Sequence, residues 1–212
     1  VSLTLHGYWR SGAAWRVRIA LALKGLDYAS VPHDLRLGQQ AAPDYCALNR
    51  QALVPALDTG EAVLTQSLAI IEWLDEVYPE PALLPVDPLT RAHVRSLAQI
   101  IACDIHPLHN LRVLKALRGN FGADEAQVTD WTAQWIEAGL AAIEPVVAGH
   151  DGDFAWGDGP TMADCCLVPQ VYSARRFGVD LARFPRLVAI DARCATLPAF
   201  QRAHPDQQGD AP

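Results

Sequence analysis

The chain has 212 residues, which suits one large domain or two small ones. Half of it is hydrophobic, so a packed core is expected rather than disorder. A net charge of -7 argues against a nucleic-acid partner, which needs a basic face, but leaves room for a few arginines converging on a small anion.

Residues 3–8 alternate and read as a strand, 9–12 as a turn, and 13–24 as a helix rich in Ala, Leu and Arg that Gly25 stops. Residues 28–33 read as a second strand, so the chain opens with a parallel βαβ unit. A short helix is predicted over 42–48. Two apolar pieces, 54–57 and 62–64, flank Asp58, Thr59 and Gly60 and predict a hairpin. Ser67 then caps a helix to about Val77, with Leu68, Ile71 and Leu74 on one face, and Pro79 ends it. Pro79, Pro81, Pro85 and Pro88 mark a boundary, giving a domain over 1–79, a linker over 80–88 and a second domain over 89–212. Beyond it only helices are predicted: 91–117, interrupted at Pro107, then 125–147, 162–177 and 185–203. The polar tail 206–212 reads as frayed. The fold class is α/β followed by all-α.

The five cysteines, Cys46, Cys103, Cys165, Cys166 and Cys194, make no CxxC pair and no metal-ligand spacing with histidine; they read as reduced thiols. His6, His33, His93, His150 and His204 are scattered, so no metal centre is expected. No stretch approaches the ~18 apolar residues of a membrane span, and the N-terminal residues lack the pattern of a secretory signal. A soluble, cytoplasmic protein without a membrane partner is expected.

Three places carry chemistry in the first half. Ser11 stands where the first helix begins; a serine there is ordinarily a cap, but the same position suits an anion, and a thiolate held there has a lowered pKa. Val54–Pro55 precedes a short strand, either as an edge proline or as a cis turn that leaves the Val54 backbone for an extended peptide. Gln66–Ser67 opens the next helix, whose amides suit a carboxylate if Ser67 is more than a cap.

Together these residues resemble the zeta-class glutathione transferases. The run Trp15–Arg16–Val17–Arg18–Ile19–Ala20–Leu21 after the Ser11 turn is similar to that class's signature. Val54–Pro55 resembles the superfamily's cis-proline turn, and the segment from Gln66 to Glu72 its γ-glutamyl-binding segment. Thr161–Met162–Ala163–Asp164 resembles its helical-domain capping box, and the run from Cys166 to Gln170 is also as in the zeta class. The resemblance spans residues 3 to about 205. It implies a thioredoxin-like first domain followed by a helical one, a homodimer, and glutathione as cofactor. It implies Ser11, Gln40, Val54, Pro55, Gln66, Ser67, His106 and Asn110 as cofactor-binding residues. The family turn usually reads Ser-Ser-Cys; here Gly12 and Ala13 follow Ser11, so a protein thiol is absent there.

The second domain has its own candidates around Pro107. The family commonly has glutamine at the position of His106 and a small residue at that of Arg112, so Arg112 adds a cation for a second carboxylate. It has arginine at the position of Arg176. Read without the family, Arg112 is a surface helix residue, and Arg175 and Arg176 are partners of a helix dipole. The implied activity is cis–trans isomerisation of maleylpyruvate or maleylacetoacetate, as in gentisate or tyrosine breakdown. The glutathione thiolate adds to the alkene, the resulting single bond rotates, and the thiolate leaves. Arg10, Arg112 and Arg176 are the candidate clamps for the carboxylates and the developing charge, alongside Ser11 as the catalytic residues. The extra cation of Arg112, with His106, favours the shorter maleylpyruvate. The alternative is a general transferase conjugating small electrophiles. A third reading keeps only the fold, against which Ser11, Val54–Pro55 and Gln66–Ser67 speak.

Overall fold

A computed structural model describes residues 2–212. The chain forms two compact units: the described residues up to Leu84 together with Ala195–Pro212, and Pro85–Cys194.

The first unit runs β1 (Leu3–Gly7), α1 (Gly12–Leu23), β2 (Tyr28–Pro32), α2 (Pro43–Leu48), β3 (Ala56–Asp58), β4 (Val63–Thr65) and α3 (Ser67–Val77). The four strands form one sheet ordered β2-β1-β3-β4, with β1 and β2 parallel and the other pairs antiparallel. That is the thioredoxin-like arrangement expected. Leu3, Leu5 and Gly7 of β1 are buried while Thr4 and His6 are less so, the period of two that a covered sheet face imposes. A Cβ at Gly7 would lie 3.2 Å from that of Ala14, tighter than an ordinary carbon contact, so glycine lets the end of β1 approach the start of α1 without displacing Ala14. α1 is buried from Ala14 to Leu21, arginines included, because α3 and α9 (Pro198–Ala203) both pack on it.

The proline-rich stretch is anchored at its start. Lys24 Nζ meets Asp75 Oδ1 at 2.9 Å and donates to the carbonyls of Tyr78 and Pro81. Asp75 in turn accepts from the amides of Leu83 and Leu84. The buried ion pair is thus saturated by backbone groups, the condition under which such a pair is tolerated.

His6 and His33 share a hydrogen bond, Nδ1 to Nε2 at 3.0 Å, and Tyr45 lies 4.3 Å from the His33 ring centre. Burial holds both imidazoles below their ordinary 6.5; Asp58 pulls His6 partly back, and His6 lowers His33 further. With the folded value below the unfolded one, the unfolded chain takes up the extra protons as pH falls. The stability this pair leaves intact above 6.5 is therefore lost as pH drops through its folded values. The urea midpoint is expected to fall between about pH 7.5 and about pH 5.5, and His33→Gln to flatten that fall. An unchanged slope in the variant would assign the effect elsewhere.

The second unit is helical: α4 (Pro88–Gln99), α5 (Leu111–Phe121), α6 (Glu125–Ala148), α7 (Met162–Arg176) and most of α8 (Pro185–Ala195). The helix expected over 91–117 is broken around Pro107 as anticipated, over a longer stretch than the proline alone. α4 passes into a π turn over Ile100–Ile105 and a 3-10 turn over His106–His109 before α5 restarts. Pro107 lacks an N–H and crowds the preceding turn, which accounts for the loss of the α ladder there. α7 is buried without a break from Met162 to Val171. Its start is held by the expected capping box: Asp164 accepts from the Thr161 amide at 2.8 Å, and Thr161 Oγ1 from Ala163 at 3.2 Å. Burial pushes the Asp164 carboxyl up to about 6 against these bonds.

Two further expectations are corrected. The helix over 185–203 is two, α8 and α9, because Pro198 cannot continue a helix and the residue before it leaves the α region. The tail is not frayed: Pro205 is buried, Gln208 Nε2 donates to the carbonyls of Arg202 and His204, and Asp210 bonds the Trp9 amide.

Candidate active site

Strand register assembles the first unit's candidates. His6 of β1 pairs with Ala56 of β3, which pairs with Thr65 of β4. That row crosses the sheet where β1 ends, β3 begins and β4 ends. Immediately beyond it lie the turn from Tyr8 to Ser11, Val54–Pro55 and Gln66–Ser67. Three segments far apart in sequence therefore meet at one edge.

Ser11 is the cap of α1; its Oγ accepts from the Ala14 amide at 3.2 Å. Helix geometry leaves the Gly12 and Ala13 amides without intrahelical acceptors. Capping uses only a lone pair of the hydroxyl, so its proton is still available to a second group. The cap reading and the thiolate reading are compatible at this residue.

The Val54–Pro55 bond is cis. The carbonyl before it, Leu53, accepts from Tyr45 Oη at 2.6 Å and Asn49 Nδ2 at 2.7 Å, which fixes the approach to the turn. Val54 and Pro55 themselves lie outside the β3 ladder.

At α3 the expected cap is displaced by one residue. Gln66, not Ser67, occupies the N-cap position, and its side chain makes no capping bond. It bonds Gln51 Oε1 at 2.7 Å instead. The first amides of α3 thus stay open to an anion. Gln66 has φ 69°, and Ala52 has φ 53°; they are the non-glycine residues with positive φ among the described residues. Such backbone costs of order 1–3 kcal/mol and concentrates at ligand sites. Ser67 is 6 % exposed and accepts from Arg16 Nη1 at 3.3 Å, bringing a buried cation under the helix start. Gln40, in the turn Gln39–Ala41, has a buried Oε1 with no partner among the described residues, an acceptor left for a ligand N–H. Arg10 is half-buried with its guanidinium 5.0 Å from the centre of the Trp9 ring.

In the second unit, His109 organises the candidates. Its Nε2 meets Gln170 Oε1 at 3.4 Å, its ring stands 5.3 Å from that of His106, and 6.0 Å from that of Phe177. The exposed Arg176 lies over Phe177, 5.1 Å from the ring centre. Trp131 Nε1 donates to Leu108 at 2.7 Å and holds the same turn. Asn110 caps α5, its Oδ1 accepting from Val113 at 3.1 Å, which leaves its amide nitrogen available to a ligand. Arg112 is exposed on the first turn of α5. Arg175 is committed elsewhere, to Asp191 at 2.7 Å.

Sequence reasoning missed Arg16 and Arg18, both buried, as well as His109 and Asp210. Two arginines inside a helix that is otherwise apolar are a usable signal, because such cations are buried only where they are bonded. Asp210 has no local signal. Among the described residues no group of His, Cys, Asp and Glu is placed to hold a metal ion, and no helix is long and apolar enough to cross a membrane.

Residues 1–76 match the model of the glutathione S-transferase N-terminal domain. A maleylpyruvate isomerase of Ralstonia is 52% identical over 211 residues, covering 99% of this chain and 100% of the relative. A holo structure of a maleylpyruvate isomerase, described as a bacterial zeta-class glutathione S-transferase, superposes with a TM-score of 0.97 at 52% identity, covering 99% and 100%. A maleylacetoacetate isomerase from Anaeromyxobacter dehalogenans, with dicarboxyethyl glutathione and citrate in its active site, gives 0.89 at 46% identity, covering 100% and 94%.

Proposed function

The chain belongs to the zeta-class glutathione transferase family, and on that premise we propose that it is a glutathione-dependent isomerase of maleylpyruvate or maleylacetoacetate. The observation that carries this reading is end-to-end identity of about one half with a maleylpyruvate isomerase. The first unit supports the choice of cofactor, since its open α3 start, strained Gln66 and spare Gln40 acceptor fit a peptide bearing a carboxylate.

Glutathione, when bound, supplies the thiolate whose reversible addition makes the maleyl double bond single. The protein's residues hold and bias. The first amides of α3 and Ser67 take the γ-glutamyl carboxylate. Val54 presents its backbone to the peptide as a strand partner would. Ser11 donates a hydrogen bond from its hydroxyl to the sulfur, and the α1 start adds its dipole, so that ionisation is favoured near neutral pH. Gln40, His106 and Asn110 complete the cofactor contacts. Arg10, Arg112 and Arg176 bind the substrate carboxylates and the charge that builds on the ketone side; a planar guanidinium suits a carboxylate because it donates two parallel bonds. The extra cation at Arg112, with His106, favours maleylpyruvate of the two substrates. On the strength of the family, we also read the protein as a cytoplasmic homodimer serving aromatic-ring catabolism.

An isomerase returns its cofactor and a transferase consumes it. Incubation with maleylpyruvate or maleylacetoacetate should give the fumaryl isomer with free glutathione undiminished, read by proton NMR. Accumulation of a stable thioether with no fumaryl product would favour the electrophile-conjugating transferase.

A further inference from the structure

The backbone two residues before Ser11 is gripped from both sides. The Trp9 amide donates to Asp210 Oδ2 at 2.9 Å, and the Trp9 carbonyl accepts from Arg18 Nη2 at 2.8 Å. Arg18 Nη1 also reaches the Tyr8 carbonyl at 3.3 Å, the same oxygen that accepts the Ser11 amide at 3.0 Å. The third arm of Arg18, Nε, donates to the Ala203 carbonyl at 3.0 Å. The guanidinium is therefore spent on three backbone carbonyls, two in the Ser11 turn and one in the C-terminal segment. Burial lowers Arg18 to about 10, with Tyr28 and Asp210 pulling it back up, so it stays a cation at neutral pH.

The C-terminal segment is itself held. Ala203 and Pro205 are buried, His204 stands edge-on to Trp15 at 5.2 Å, and Gln208 closes back on Arg202 and His204. This places Asp210 across 201 positions of sequence onto the turn.

We propose that Asp210 and Arg18 are positioning residues of the reaction: the C-terminal segment, through Asp210, fixes the turn that aims the Ser11 hydroxyl at the glutathione sulfur. The proposal rests on the reading of Ser11 given above. Neither residue touches the reacting atoms. Asp210 acts by holding a peptide group, and Arg18 by holding the other face of the same peptide and the start of the segment that carries Asp210.

Charge and geometry predict opposite signs at Asp210, which makes the test sharp. Removing a carboxylate near the site favours a thiolate by Coulomb's law and should lower the pKa of bound glutathione. Loosening the Ser11 turn loses a donor to the sulfur and should raise it. The experiment titrates the ultraviolet thiolate absorbance of the glutathione complex of the full chain, a readout independent of turnover. Asp210→Ala is expected to raise the thiol pKa by about one unit and to lower kcat/KM about tenfold near pH 7, the scale of one charge-assisted hydrogen bond. Asp210→Asn keeps an acceptor for the Trp9 amide and should return the thiol pKa to within about half a unit, and kcat/KM to within about threefold, of the parent. A pKa that falls or stays put in Asp210→Ala, even with reduced thermal stability, would overturn the proposal and leave the tail merely structural. So would an Asp210→Asn variant as impaired as the alanine one. If the isomerase reading fails while glutathione still binds, the titration still separates these outcomes.

Discussion

Arg176→Ala is expected to lower kcat/KM for the dicarboxylate substrate by a factor of about 30 to 1,000, mostly through KM, while glutathione affinity barely changes. The range follows from the roughly 2–4 kcal/mol of binding lost when one partner of a desolvated, hydrogen-bonded charge pair is removed, at about 1.4 kcal/mol per factor of ten. Arg176 is exposed at the end of α7 and lies over Phe177, whose ring touches the His109 cluster. The sequence places an equal cation beside it as an internal control. Arg175 is held by Asp191 at 2.7 Å, and Arg175→Ala should change kcat/KM no more than about twofold, the scale of a partly exposed ion pair. Arg176→Lys should recover only part of the loss, since an ammonium cannot make the bidentate contact. Steady-state kinetics on the three variants read all of this, and an Arg176→Ala enzyme with parental KM removes the residue from the site.

Ser11→Ala is the second large effect, about 10- to 100-fold in kcat/KM near pH 7. The hydroxyl caps α1 through Ala14 and, in this account, donates to the sulfur. Losing that donor destabilises the thiolate by roughly 1.5–3 kcal/mol, so the alkaline shift of the rate profile should be about one to two pH units. The sign is fixed: the variant recovers as pH rises, because the thiol ionises without the donor once the pH passes its raised pKa. Loss of the cap alone costs about 1 kcal/mol of stability and leaves the profile where it was. Ser11→Thr keeps both roles and should sit near the parent. A drop in rate with no shift of the profile would make Ser11 a cap and nothing more.

Much of the fold was legible because its signals are local. Alternation over β1, the Asp58–Thr59–Gly60 turn and the Thr161–Asp164 capping box each specify structure within a few residues. The displaced cap at α3 was not legible. Serine is the better cap by propensity, and only the junction after β4 forces Gln66 into positive φ and pushes Ser67 inside. The break at Pro107 is encoded by the proline itself, but a helical period does not show that the irregular stretch begins as early as Ile100. Arg16 and Arg18 stand in the signature run, but their partners, Ser67 and the turn carbonyls, are brought to them only by the fold. Asp210 was the least legible, since a polar tail near a chain end has the composition of a frayed one. What orders Asp210 is the distant amide of Trp9, beside the burial of Pro205 and the bonds of Gln208 earlier in the same tail.

An isomerase that borrows its thiol has no activity without that thiol. The direct test follows the enol absorbance of maleylpyruvate, with maleylacetoacetate in parallel, in the presence of glutathione, of S-methylglutathione, and of neither. Turnover is expected with glutathione alone, because the S-methyl analogue keeps every peptide contact and lacks the nucleophile. Equal turnover in all three would contradict the account, and so would no turnover of either substrate by a protein that demonstrably binds glutathione.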